Sequence, residues 1–163
     1  MLAALEAHLG SRQVSRVIYG SIIGLALVVA LEAHPPGAGA VVASLLATAI
    51  AVGLAELYSD VVGTETRLRR RVAQGELRHM LRDVRAVAFG IAFPAVFFIL
   101  AAVGAIDEDL AFTLAKWSGL ALIGAYGFLA TRLAGASVAA SLLRALIVGL
   151  VGALLIVVKA LVH

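Results

Sequence analysis

The sequence predicts an all-α integral membrane protein with five transmembrane helices. Hydrophobic residues make up 63% of its 163 residues and charged residues only 14%, whereas soluble domains contain about 45–50% and 25%. Five segments are apolar over the roughly 20 residues that a helix needs to cross a bilayer core. Because most connections between them are short, we predict a single membrane domain over residues 1–163.

The five spans follow one another with three short connections and one long one. The first span ends at the sequence His34-Pro35-Pro36-Gly37, since proline cannot continue a helix. In the third span, Pro94 predicts a kink for the same reason. The predicted spans cover residues 14–33, 38–62, 84–106, 110–130 and 138–161.

The long connection, residues 64–83, is too polar to lie in lipid. Leu77 and Leu81 recur in it at the i, i+4 spacing of one helix face. We therefore predict a helical hairpin that continues the second span beyond the membrane, turns near Gly75 and leads back into the third span.

The arginines predict the orientation. With five spans, all eleven lie at or near one side of the membrane, and Asp107, Glu108 and Asp109 lie on the other. Lys and Arg are enriched in cytoplasmic loops, so the N-terminus and the hairpin are predicted inside and the C-terminus outside. We expect a multi-pass protein of a bacterial-type plasma membrane. The arginines are Arg12, Arg16, Arg67, Arg69, Arg70, Arg71, Arg78, Arg82, Arg85, Arg132 and Arg144.

The residue types argue against several classes of protein. The chain has no cysteine, which excludes disulfides and thiolate metal sites. The sequence shows no nucleophile–base pair, phosphate-binding glycine loop or paired histidine motif, so we predict neither an enzyme nor a bound cofactor. The formal charge of +3 matters in a membrane chain through its placement, and the bilayer rather than nucleic acid is the expected partner.

Small residues at four-residue spacing predict helix contacts, because lipid offers no hydrophobic reason for helices to associate. Gly20 and Gly24 form such a pair in the first span. In the second span, Ala47, Ala51 and Ala55 form a longer ridge. This pattern predicts a compact helical bundle without deciding which helices meet.

The second span has two faces. At 100° per residue, Leu46, Ile50 and Leu54 share an arc that we predict to face lipid. An opposite, polar arc points toward protein or water and is the predicted cation or proton pathway. Its residues are Ser44, Thr48, Glu56, Ser59 and Asp60.

Glu56 and Asp60 lie one helical turn apart in an otherwise apolar span, where charged side chains are least expected. Glu56 lies seven residues before Gly63, about 10 Å along the helix. One interpretation is ion pairing with Arg16 or Arg144. The other is a site for a cation or a proton, with Glu56 as a candidate metal ligand, because two adjacent carboxylates can share one ligand or one proton.

Two further groups of charged residues are candidate sites. On the outer side, Glu32, His34 and Lys116 either line a vestibule or lie at the surface. In the hairpin, a basic patch either binds anionic lipid or a protein partner, or is only solvated. The patch consists of Arg67, Arg69, Arg70 and Arg71.

The first two spans show a weak similarity to the third and fourth. The matching positions are Arg16 with Arg85, Tyr19-Gly20 with Phe89-Gly90, and Gly53 with Gly124. A true duplication of this kind would give two helix pairs that run in the same direction through the membrane.

Four motifs follow one another along residues 14–160. They are Arg16 with Gly20 and Gly24-Leu25, then Ala55–Ser59, then Phe89-Gly90 with Pro94, and lastly Ala130–Ser137 followed by Leu143-Arg144 and Val148-Gly149. This series resembles that of the vacuolar iron transporter family. The resemblance implies five spans, a homodimer, and exchange of protons for a divalent cation such as iron or manganese, with Glu56 at the family's second-span glutamate.

The chain also departs from that family. Ile23 and Val52 stand where the family has an aspartate and a methionine, and the family's long cytoplasmic metal-binding domain is replaced by the short basic hairpin. Borderline metals gain from nitrogen and sulfur ligands, which this path lacks. We predict a small dimeric cation transporter. The alternative is a non-transporting membrane protein whose basic hairpin binds anionic lipid or a protein partner.

Overall fold

A computed structural model of the protein describes residues 13–133 and 135–162. Arg12 and His163 lie outside the described residues. Within them the secondary structure is entirely helical, which confirms the predicted all-α class. The helices are α1 Gln13–Glu32, α2 Ala38–Leu68, α3 Gln74–Ala92, α4 Ala95–Ala102, α5 Glu108–Leu133 and α6 Val138–Val162.

Three helices, α1, α2 and α5, are long and apolar enough to cross a membrane, and α3 with α4 makes a fourth span if the bent pair counts as one. The segment Val138–Ile147 of α6 is apolar as well. These helices are those of an integral, multi-pass membrane protein. The predicted continuation of the second span as a helix past residue 62 is confirmed, since α2 continues to Leu68.

The third predicted span is bent, as Pro94 led us to expect. The axes of α3 and α4 differ by 47° across residues 93–94. Pro94 has no amide hydrogen to donate to the Gly90 carbonyl, so one helical hydrogen bond is lost there. The span also ends early, at Ala102, because Gly104 takes a left-handed conformation with a φ of 76°.

The hairpin turns at residues 69–73, earlier than the predicted turn at Gly75. Arg69 ends α2 in a left-handed conformation. The Glu76 carboxylate accepts a hydrogen bond of 2.8 Å from the Ala73 amide, and this side-chain cap starts α3 at Gln74. Arg70 donates two hydrogen bonds, of 2.8 and 2.9 Å, to the same carboxylate.

Glu76 makes the hairpin sensitive to acid. The Arg70 guanidinium and the Ala73 amide lower the pKa of Glu76 from 4.5 to about 2. The carboxylate therefore stabilises the turn fully above pH 4.5, and this contribution is lost as the pH falls toward 2. We expect the Ala73 amide resonance to titrate with a midpoint near pH 2 in an NMR titration of the full chain. Glu76→Gln should abolish the transition, and a midpoint near 4.5 would contradict the cap.

Helix α1 is the centre of the bundle and contacts α2, α3, α5 and α6. Its closest crossing is with α3. A Cβ atom on Gly20 would lie 2.1 Å from the Val87 carbonyl oxygen, and a Cβ on Gly90 would lie 2.5 Å from the Val17 carbonyl oxygen. The Gly20 contact face predicted from spacing is thus confirmed, and only glycine allows the two backbones to approach this closely.

The apolar core lies mainly at the end of the bundle away from the hairpin. Phe98 of α4 and Phe112 of α5 meet edge to face, with ring centroids 4.8 Å apart, a preferred aromatic geometry. Val28, Val41 and Leu45 pack in the same cluster. Near the hairpin the bundle is instead held by the glycine crossing, which leaves room there for polar side chains.

The predicted lipid-facing arc of α2 is exposed in the structure. Ile50 and Leu54 are 64% and 63% accessible. The small-residue ridge differs from the glycine pair of α1, because Ala47, Ala51 and Ala55 are exposed and so are not covered by the other described helices. This face of α2 is therefore available to lipid or to another chain.

Candidate functional site

Arg16 of α1 lies against Glu56 and Asp60, which are one turn apart on α2. Arg16 Nη1 contacts Glu56 Oε1, and Arg16 Nη2 lies 3.5 Å from Asp60 Oδ2. The two acids are four residues apart, so they project from one side of α2 and one guanidinium reaches both. We call Arg16, Glu56 and Asp60 the acidic cluster.

The acidic cluster holds more negative than positive charge. It contains two carboxylates and one guanidinium, and the Glu56 side chain is only 13% exposed. Glu56 Oε2 is buried and has no hydrogen-bond partner among the described residues. A buried carboxylate oxygen without a partner is energetically unfavourable. Binding of a cation or a proton at this atom would therefore stabilise the cluster most.

A cleft of about 450 Å³ opens onto the cluster. It is lined by Ser15, Arg16, Tyr19 and Glu56. The lining offers carboxylate and hydroxyl oxygens, which are ligands for hard cations and carriers for protons. Among the described residues there is no group of three or more histidine, aspartate or glutamate side chains placed to hold a metal ion.

The other residues of the predicted pathway lie apart from the cluster. Ser44 and Thr48 are half-buried on α2, but Ser44 precedes Glu56 by 12 residues, about 18 Å along the helix. Ser59 is exposed. Arg144, the second candidate ion-pair partner, is exposed on α6, so of these two candidates it is Arg16 that the structure brings to the two acids.

The three candidate vestibule residues divide into an ion pair and a loop residue. Lys116 Nζ of α5 lies 2.5 Å from Glu32 Oε1 at the end of α1, whereas His34 is exposed in the connection that follows. The pair links two helices that pack together. Its charges balance, unlike those of the acidic cluster.

The basic patch is exposed at the hairpin. Arg67, Arg69 and Arg71 are all exposed. Arg70 forms an ion pair with Glu76 and so stabilises the turn instead. Three of the four predicted residues are therefore available to lipid or to a partner.

A second cleft, of about 490 Å³, was not predicted from the sequence. It lies between α1, α3 and α5, and one of its residues, Arg85, is the residue that matches Arg16 in the weak internal similarity. Its lining residues are Gln13, Val14, Val17, Arg82, Arg85, Ala86, Phe89 and Tyr126.

Comparisons of the chain with protein-family models, curated proteins and solved structures found no match. The site is therefore interpreted from its own geometry and charge.

Proposed function

We propose that the protein moves a cation or a proton across the membrane by way of the acidic cluster. The observation that carries this proposal is the buried, unpartnered Glu56 Oε2 beside a cleft. Ionised side chains within membrane spans are costly and commonly belong to ion or proton paths. A cluster with one surplus negative charge lowers its free energy by taking up a positive one.

Charge also ranks the candidate substrates. A proton or a monovalent cation neutralises the cluster while Arg16 stays in contact with Glu56. A divalent cation such as iron or manganese, which the family resemblance implies, leaves a surplus positive charge unless Arg16 moves away. We therefore place the proton first and a proton-coupled divalent metal second.

The assembly belongs to the same proposal. We place α3–α4 and α6 as the third and fifth spans, with the N-terminus and the hairpin in the cytoplasm, because this arrangement keeps the arginines on one side. We propose a homodimer that uses the exposed α2 face. The ridge of Ala47, Ala51 and Ala55 supports it, since such ridges mark contacts between membrane helices.

Flux measurements in liposomes test the proposed path. The full chain should carry protons, or Mn²⁺ and Fe²⁺, faster than protein-free liposomes. Glu56→Gln should reduce this flux to the protein-free level, because the amide cannot take up the charge. Glu65→Gln is the matched control, since Glu65 lies on the same helix outside the cluster and should keep its flux. Equal flux in the parent and in Glu56→Gln would rule out the role of Glu56.

A second candidate function is engagement of anionic lipid or a protein partner by the basic hairpin. The exposure of Arg67, Arg69 and Arg71 favours it. Each basic residue near an anionic surface contributes about 1 kcal/mol. This candidate requires no transport, so a chain that fails the flux test could still fulfil it.

A further inference from the structure

The second cleft has the opposite charge to the acidic cluster. Arg82 and Arg85 line it, and no acid is among the described residues that line it. Arg82 contacts the His79 ring at 2.9 Å, which does not neutralise its charge. Arg85 has no ion pair or hydrogen bond with any described residue. Two unneutralised arginines beside one cavity favour an anion.

Arg16 and Arg85 match in the weak internal similarity, but only Arg16 has an acidic partner among the described residues. Val17 faces Gly90 and Val87 faces Gly20 in a reciprocal pair of backbone contacts, so positions that match in the weak internal similarity meet at one crossing. Arg16 directly precedes Val17, and Arg85 lies two residues before Val87, so each arginine lies beside this crossing on its own helix. Arg16 has Glu56 as its partner, whereas the position that matches Glu56, counted from Gly53 and Gly124, is Gly127.

The rest of the lining suits a lipid rather than a small, fully hydrated anion. Val14, Val17 and Phe89 give the cleft an apolar wall, and Tyr126 adds an aromatic ring. The cleft lies where α1 begins and α3 leaves the hairpin, which is the headgroup level in the proposed orientation. Basic pockets between membrane helices on the cytoplasmic side bind anionic headgroups.

We propose that the cleft between α1, α3 and α5 binds one anionic phospholipid of the cytoplasmic leaflet. The phosphate contacts Arg82 and Arg85, because guanidinium groups match phosphate oxygens in geometry and charge. The acyl chains lie along the apolar wall. This site is separate from the acidic cluster and does not depend on transport.

Native mass spectrometry of the delipidated full chain, titrated with phosphatidylglycerol and with phosphatidylcholine, tests the proposal. We expect one phosphatidylglycerol to bind in preference to phosphatidylcholine. Arg82→Gln with Arg85→Gln should weaken phosphatidylglycerol binding by about 25-fold, at about fivefold for each basic residue. The matched control, Arg132→Gln with Arg144→Gln, removes the same charge from exposed positions outside the cleft and the basic patch and should bind as the parent does.

A second variant distinguishes loss of the lipid site from misfolding. Ala86→Leu keeps both arginines but fills the cleft, so it should also lose the lipid while its helix content stays that of the parent. Glycerol phosphate should not displace the lipid, because it lacks acyl chains. Undiminished binding in both cleft variants would overturn the proposal. So would loss confined to a hairpin variant, Arg67→Gln with Arg71→Gln, which would move the lipid to the basic patch, or displacement by glycerol phosphate, which would indicate a free-phosphate site.

Discussion

Gly20→Ala should disrupt the packing of α1 on α3 and lower the free energy of unfolding by about 1–3 kcal/mol or more. The added Cβ would lie 2.1 Å from the Val87 carbonyl oxygen, far inside contact distance. That oxygen belongs to the backbone, so no side-chain rotation relieves the clash and the helices must separate. Unfolding of the purified chain by titration with SDS, followed by circular dichroism, measures the effect.

Gly63→Ala is the matched control for this prediction. Gly63 lies in α2 with nothing within 4 Å of an added Cβ, and alanine favours a helix over glycine by up to about 1 kcal/mol. The control should therefore be as stable as the parent or more so. Equal stability of the Gly20→Ala and Gly63→Ala variants would show that α1 and α3 do not cross as closely as described.

Arg16→Gln should destabilise the protein by about 2 kcal/mol, more than Glu56→Gln does. Removal of one partner from a fully buried ion pair costs about 3–5 kcal/mol, and the Arg16 and Glu56 side chains retain 25% and 13% exposure, which reduces that value. The loss of Arg16 leaves Glu56 and Asp60 together with no cation. Loss of Glu56 leaves the balanced pair of Arg16 and Asp60.

The double variant Arg16→Gln with Glu56→Gln separates the energy of the ion pair from the energies of its two side chains. It should recover part of the stability lost in Arg16→Gln, because the buried carboxylate is gone together with its partner. Arg71→Gln, at an exposed position, should change the free energy of unfolding by no more than about 0.5 kcal/mol. If Arg16→Gln is as mild as Arg71→Gln, the cluster is solvated and the argument from surplus charge fails.

The hairpin shows what local sequence can and cannot predict. The polar run from residue 64 and the leucine spacing of Leu77 and Leu81 correctly predict two helices joined by a turn. The turn itself lies at residues 69–73, because Glu76 caps α3 and binds Arg70. Gly75 permits a turn, but the side-chain hydrogen bonds of Glu76 place it elsewhere.

The acidic cluster shows a similar division. The spacing of Glu56 and Asp60 places both acids on one face of α2, away from the lipid-facing arc. On charge alone, either Arg16 or Arg144 could form an ion pair with them. The structure brings Arg16 to both acids because α1 packs at the centre of the bundle, and α6 presents Arg144 to its exposed side.

The sequence by itself determined the helical class, three to four candidate membrane spans and the kink at Pro94, because hydropathy and the missing proline amide act within one segment. Tertiary structure alone decided which helices meet. In lipid, both the buried and the exposed faces of a helix are largely apolar, so hydropathy does not predict which helix will be its neighbour. Glycine contacts between α1 and α3 set the crossing, and that crossing leaves one cleft with surplus negative charge at Glu56 and another with surplus positive charge at Arg85.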